Sequence, residues 1–352
     1  MAYLSQKKPA WLVLEDGRVF EGEAFGAPVE AVGRLVFNTA CVGYQQLLTD
    51  PDSLGQMVIE AFPCAGNYGV NEEGDESAHA AASGLIVREW CEAPSNFRCT
   101  GTLDRYMQEK GIAGLCGIDT RALVRSVRDG GELGCLITPE KPDVPAAIEK
   151  MRAFSATNRI KEFTIDKKET VSTAEAAHSA TLFDFGCKRS FLASLQAAGF
   201  SLAVLPFSEL GKVKPEGPVI LSGGPEEPGF FDGQLPALAA LYRAGNPIFA
   251  VGLSHLLLAR ALGGELAELR HGHRGSNIPA TDQAQGRTLI TTQNHRFYVK
   301  KAAEGEIALV HAADGSCEGI RYPNALSVQF IPAYERGNMN TGGLFREFQK
   351  LL

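Results

Sequence analysis

From Ala180 onward the chain alternates short, continuously apolar runs with amphipathic stretches, and this constrains the fold more than any other feature. TLFDFGC (181–187) reads as a buried strand, and RSFLASLQAAGF (189–200) as a helix ended by Gly199. SLAVLPF (201–207) and the start of PVILSGGPEEP (218–228) read as two further strands, the latter running into a Gly/Pro loop. A helix is expected over 234–244, then the strand PIFAVGL (247–253) and the helix SHLLLARALG (254–263). A strand apolar along its whole length needs cover on both faces. The pattern therefore predicts a parallel sheet flanked by helices, a doubly wound α/β domain.

The first part of the chain has a different texture. Residues 11–38 alternate apolar and polar positions around a turn at Glu15-Asp16-Gly17, which predicts strands. Helices are expected over 103–110, over 119–129 with Asp119 or Thr120 as N-cap, and over 145–154 with Pro145 in the first turn. Residues 155–180 are polar and lack a clear period. The expected organisation is a mixed β/α domain over 1–155, a linker over 156–179 and the doubly wound domain over 180–352.

With 34 Lys plus Arg against 41 Asp plus Glu, the net charge of −7 argues against a general nucleic-acid binder. The most apolar stretch, 246–262, is interrupted by His255 and Arg260 and is too short to span a bilayer, so no membrane association is expected. The N-terminal residues show no signal core and no Arg-rich leader, and the eight cysteines are scattered without a CxxC pair. Both features point to a cytoplasmic protein with reduced thiols.

The segment 247–255 carries a buried strand through a tight turn straight into a helix, the layout of a nucleophile elbow. Such a turn holds a Ser or Cys at a helix N-terminus, where the dipole and backbone N–H groups favour a thiolate and an oxyanion. At these residues the chain resembles the small, glutaminase-bearing subunit of carbamoyl-phosphate synthetase, with a class I glutamine amidotransferase domain at its C-terminus. The resemblance runs through FNTACVGYQQLLTDP (37–51), GNYGVNEEGDES (66–77), SNFR (95–98) and IDTRALVR (118–125). In the second half it covers DFGCKRS (184–190), LSGGPEEP (221–228), FAVGLSHLLLA (249–259), HGHRGSN (271–277), TTQNHRF (291–297) and LSVQFIPA (326–333).

The departures carry more information than the matches. The resemblance puts the nucleophilic cysteine at Gly252, the general-base histidine at Ile331 and its orienting glutamate at Ala333. A glutaminase needs a thiolate, a base and an acid that holds the base, and all three roles are vacant. The resemblance also assigns glutamine contacts to Gly224, Leu253, Asn294 and Phe297, which retain family identity. Leu256, Asp52, Glu226 and Arg296 replace a glutamine, a serine and two glycines of that pocket. The site reads as a degenerate glutaminase with no catalytic residue.

Other residues that could act chemically have plainer readings. Ser254 reads as a helix-start residue, His255 as a packed histidine, and Cys187 and Cys317 as core thiols. His271 and His273 alternate like a metal pair but fall short of the three or four ligands a site requires, so no metal is expected. Gly130, Gly131 and Gly134 lack the spacing and the Lys-Ser/Thr of a phosphate loop. No cofactor is expected in this chain. In the family, ammonia from glutamine passes to a large subunit that holds ATP and metal and makes carbamoyl phosphate for pyrimidines and arginine. The expected function is a non-catalytic small subunit partnered with that large chain and supporting ammonia-dependent synthesis. The alternatives are a glutamine-hydrolysing subunit, as homology alone would name it, and a repurposed regulatory binding module.

Overall fold

A computed structural model describes residues 8–173, 176–334 and 340–352. The chain divides into two compact units, one ending at Ala156 and the other beginning at Thr157.

In the first unit the strands are β1 (Lys8–Leu14), β2 (Val19–Gly26), β3 (Ala31–Asn38), β4 (Gln56–Glu60), β5 (Cys64–Ala65), β6 (Gly84–Ile86), β7 (Glu89–Trp90), β8 (Ala113–Cys116) and β9 (Leu133–Thr138). The helices are α1 (Tyr44–Thr49), α2 (Leu103–Lys110), α3 (Thr120–Gly130) and α4 (Val144–Ala153). Seven of the strands close into a barrel in the order β1-β2-β8-β6-β4-β3-β9, which leaves none of them with a free edge. Period-two alternation divides its side chains between two cores. Leu12, Leu35, Met57, Ile59 and Leu115 join one cluster, while Val36, Val58 and Leu85 pack with Leu47, Leu48 and Met107 in another. The helices begin where the sequence places caps. Thr102, Asp119 and Asp143 each accept a backbone N–H of the first turn.

The family-specific motifs of this unit meet one another. Gln45 Nε2 donates to the Asn71 carbonyl and to Asp75, and the Tyr106 hydroxyl donates to Asp75 at 2.6 Å. A Cβ on Gly74 would lie 2.3 Å from Gln45 Oε1, so a side chain there would displace the Gln45 amide from its present bonds.

The second unit contains β10 (Glu169–Val171), β11 (His178–Asp184), α5 (Arg189–Ala197), β12 (Phe200–Pro206), β13 (Val219–Leu221), α6 (Leu235–Arg243), β14 (Ile248–Val251) and α7 (Leu253–Ala261). It continues through β15 (Glu265–Asp282), β16 (Arg287–Lys301), β17 (Glu306–His311), β18 (Cys317–Arg321), β19 (Ala325–Val328) and α8 (Gly343–Gln349). A single sheet runs β10-β12-β11-β13-β14-β19-β18-β17-β15-β16. Its five strands from β12 to β19 are parallel, as the alternation predicts. The rest is antiparallel and ends in the long β15–β16 hairpin, for which the sequence reading has no counterpart. Leu182, Ile220, Phe249, Val251 and Val328 are fully buried. Each such side chain contributes about 1.5–3 kcal/mol by leaving water.

The stretch 156–179, read from the sequence as a linker, carries ordered structure. Residues Thr157–Phe163 form 3₁₀ turns with Ile160 and Phe163 buried, β10 pairs with β12, and β11 starts at His178. Ala174 and Glu175 of that stretch lie outside the described residues. A 3₁₀ turn and a three-residue strand give no helical or alternating period, so the order is invisible in the sequence. Among the described residues no helix is long and apolar enough to cross a membrane.

Glu60, at the end of β4, is buried, and burial pushes its carboxyl up to about 8. In the unfolded chain this group ionises near pH ~4.3. Between those values the folded state holds a proton that the unfolded state releases, so the contribution to stability is full at acid pH and is lost as pH rises through the folded value. Trp11 and Trp90, the only tryptophans, both lie in this unit, so their fluorescence reports its unfolding. Glu60→Gln is expected to remove up to about 1.4 kcal/mol per pH unit from the slope of stability between about pH 5 and pH 8. Urea titrations across that range check it, and an unchanged slope refutes it.

Candidate active site

The centre of the second sheet delivers the chain to a turn at Gly252. Its N–H donates to the Val328 carbonyl at 2.9 Å, which ties the end of β14 to β19. At φ 55° and ψ −123° it has the backbone of the first corner of a type II′ turn, a conformation that favours glycine. The His255 N–H donates to the Gly252 carbonyl at 3.0 Å, and α7 starts at Leu253. Every residue of α7 from Leu253 to Ala259 is buried, so the elbow is fixed by a helix locked in the core.

A side chain at this corner would point at a defined neighbour. A Cβ built on Gly252 lies 3.0 Å from Ile331 Cδ1 and 3.2 Å from the Cα of Gly223. The fold thus brings positions 252 and 331 face to face, the relation a nucleophile and its base require, and fills them with hydrogen and an alkyl chain. Ala333 is held through its backbone. Its N–H donates to Thr341 Oγ1 at 3.0 Å, and that hydroxyl donates to the Ala333 carbonyl at 3.1 Å.

The remaining positions fall on the loop after β13, on β16, on α7 and, for Asp52, in the first unit. Gly224 follows β13, and a Cβ there would sit 2.0 Å from the Phe185 carbonyl oxygen. Backbone crowding alone therefore demands glycine at 224, whatever the pocket holds. Asn294 accepts a hydrogen bond from Arg274 Nε at 3.1 Å. Leu253 and Leu256 are buried in α7. Asp52 belongs to the first unit, in the Pro51–Ser53 turn, where its N–H donates to the Asp50 side chain.

Glu226 makes contacts that the sequence does not announce. Along the β15–β16 hairpin, Glu268 pairs with Phe297 and His273 with His295, so residues 269–272 bulge opposite Arg296 alone. There the Arg296 and Phe297 N–H groups donate to the two Glu226 carboxylate oxygens, at 2.5 and 2.7 Å. Burial pushes the Glu226 carboxyl up to about 8, against the opposing pull of Arg274, the two N–H groups and Arg296. The sequence marks Glu226 as bulky, but its acceptor role depends on the bulge.

Histidines cluster behind this hairpin. His273 stacks on His311 with ring centroids 4.0 Å apart and meets His295 edge-on at 5.2 Å. Its Nε2 lies 2.9 Å from Asp314, and its Nδ1 lies 3.5 Å from Glu318 Oε1. Burial pulls the His273 pKa down, but Glu318 and Asp314 outweigh it and hold the value above normal. Among the described residues, two triplets, His273-His295-Glu318 and His273-His311-Asp314, each bring ligand atoms within 4.8 Å of one another and could hold a metal. His271 is in neither, so the pair suggested by its spacing from His273 is not the one assembled.

One serine–histidine pair stands near the elbow. Ser327 Oγ lies 2.8 Å from His255 Nδ1. Both residues are fully buried, and burial lowers the His255 pKa to about 3, which leaves a weak base facing a hydroxyl with no path to solvent. Ser254 donates to the Ser222 carbonyl at 2.5 Å inside the core. Cys187 Sγ points to the Lys188 carbonyl, and burial pushes the Cys317 thiol up to about 12. Gly131 ends α3 with a positive φ of 96°, and the Gly134 N–H donates to Glu15, so neither glycine is part of a phosphate cradle.

The strand–elbow–helix unit at Gly252 defines a class I glutamine amidotransferase domain, and residues 181–351 match the family described as glutamine amidotransferase class-I. Residues 12–137 match the carbamoyl-phosphate synthase small chain, CPSase domain. The carbamoyl phosphate synthase small chain of Syntrophotalea carbinolica is 38% identical over 368 aligned positions, covering 97% of each chain. That of Clostridium perfringens is 37% identical over 348, covering 97% of this chain and 99% of its own. That of Chlorobaculum tepidum is 37% identical over 364, covering 99% and 98%. The chain belongs to the carbamoyl phosphate synthase small chain family.

Any side chain at the elbow must accept positive φ and the crowding by Ile331 and Gly223. Gly252→Ala is expected to destabilise the second unit by about 1–3 kcal/mol. Hydrogen exchange of α7 amides checks this, and protection equal to that of the native chain refutes it.

Proposed function

We propose that this chain is the small subunit of a carbamoyl-phosphate synthetase complex in which glutamine hydrolysis has been lost. Its partner is the large synthetase subunit, which carries the ATP and metal chemistry and draws on free ammonia. The complex works in the cytoplasm, and its product feeds pyrimidine and arginine synthesis. The observation that carries this reading is the pairing of Gly252 with Ile331, 3.0 Å from the Cβ position to Cδ1.

The chemistry lost is specific. Amide cleavage through a thioester requires a sulfur that attacks the carbonyl carbon. It also requires a base that removes the thiol proton and later delivers it to the leaving ammonia. An isoleucine does neither, and an alanine at 333 could not orient a base were one present. The alternatives at hand are unsuited, since the Ser327–His255 pair is sealed in the core and Ser254 is committed to a backbone carbonyl. The intact barrel and the contacts among its family motifs support a retained role in docking or stabilising the large subunit.

Carbamoyl phosphate formation by the purified complex, assayed from glutamine and from ammonium, tests the proposal. Ammonium is expected to support synthesis, while glutamine gives neither product nor glutamate above background. Gly252→Cys alone is expected to leave glutamate release at background, because the base and its orienting acid stay absent. Glutamate release by the native complex at a rate like that of active family members overturns the proposal.

A further inference from the structure

The loop after β13 reaches across to the hairpin through one side chain, that of Glu226. The groups it meets are those of a carboxylate-binding site. Two consecutive backbone N–H donors, from Arg296 and Phe297, converge on its two oxygens at 2.5 and 2.7 Å. Arg274, buried beside Asn294, and Arg296 supply positive charge that favours the ionised form. Paired N–H donors with a guanidinium close by recognise a carboxylate by charge and by fork geometry, regardless of what carries it. The loop bearing Glu226 also borders the elbow, since Gly223 lies against the Gly252 corner.

We propose that Glu226 is an internal ligand: its carboxyl group occupies a built carboxylate-binding site next to the elbow, so that the chain closes its own pocket against free amino acids and other small carboxylates. The donors themselves are intact. They are backbone groups, Arg296 opposite the bulge and Phe297 at its edge, and no substitution of their side chains would remove them. Deleting the Glu226 side chain leaves the two N–H groups and Arg274 in place and opens a space that a ligand carboxylate fits. This inference rests on the reading of the site as a degenerate glutaminase, since positions 226, 296 and 297 belong to the glutamine pocket that the family resemblance assigns.

Isothermal titration of the full chain with L-glutamine, L-glutamate and acetate, and with methylammonium as a cation lacking the carboxylate, tests the proposal. Native protein is expected to bind none of the carboxylates at millimolar concentration. Glu226→Gly and Glu226→Ser are expected to bind L-glutamate and L-glutamine at least about tenfold more tightly than the native chain, with no gain for methylammonium. Glu226→Gln keeps the volume filled and is expected to remain closed. Circular dichroism confirms folding, and Glu226→Ser carries the test if Glu226→Gly does not fold. Folded variants that bind no carboxylate would show that Glu226 is only a staple between loop and hairpin, which overturns the proposal. Native protein that binds glutamine as tightly as the variants overturns it as well. Native protein that binds glutamine without releasing glutamate removes this inference and leaves the proposed function standing. A variant that binds and hydrolyses glutamine removes the proposed function and leaves this inference standing.

Discussion

The second unit is organised around the 2.9 Å hydrogen bond from the Gly252 N–H to the Val328 carbonyl. That bond ends β14 at the middle of the sheet and lets α7 start at once, with its first residue already buried. The turn has to reverse direction within one residue, and it does so at positive φ. In an enzyme such a corner is strained because function demands a side chain on it. Here glycine occupies the corner without that cost, and the fold keeps the architecture of an elbow while nothing reactive stands on it. Ile331 packs against this corner, its Cδ1 3.0 Å from where a Cβ on Gly252 would stand.

Polar groups of the second unit are satisfied by one another and by backbone. Glu226 binds backbone N–H groups, Asn294 binds Arg274, and His273 is held between Asp314 and Glu318. Burial lowers the His255 and His295 pKa values, whereas Glu318 and Asp314 hold that of His273 above its ordinary value. Contacts of His273 with Asp314, and of Glu226 with Arg296 and Phe297, link the hairpin to the β17–β18 turn and to the loop after β13. In the first unit hydrogen bonds likewise join Gln45, Asp75 and Tyr106.

Much of the parallel half of the sheet was legible because its signal is local. Apolar runs such as Ile248–Val251, short and bounded by Pro247 and Gly252, read as buried strands, and caps such as Asp119 announce their helices within a few residues. The β15–β16 hairpin was not legible. Its ladder is broken by three irregularities, so no period persists for long, and its buried positions include polar residues such as His273, Gln293 and His295. The 157–173 stretch escaped for a related reason, since Ile160 and Phe163 are its only buried apolar anchors over Thr157–Phe163.

The sequence by itself determined which atoms are missing: a glycine has no nucleophile and an isoleucine no proton acceptor, and neither fact depends on coordinates. It also determined the two-part architecture, because apolar periodicity and capping act over a few neighbouring residues. Only the tertiary structure decided that positions 252 and 331 face each other across 3.0 Å, that Gly224 is required by the Phe185 carbonyl, and that Glu226 fills a fork of N–H donors. Those relations join residues some 40 to 80 positions apart, and close packing of the sheet, the elbow and the bulged hairpin sets them, which no local pattern encodes.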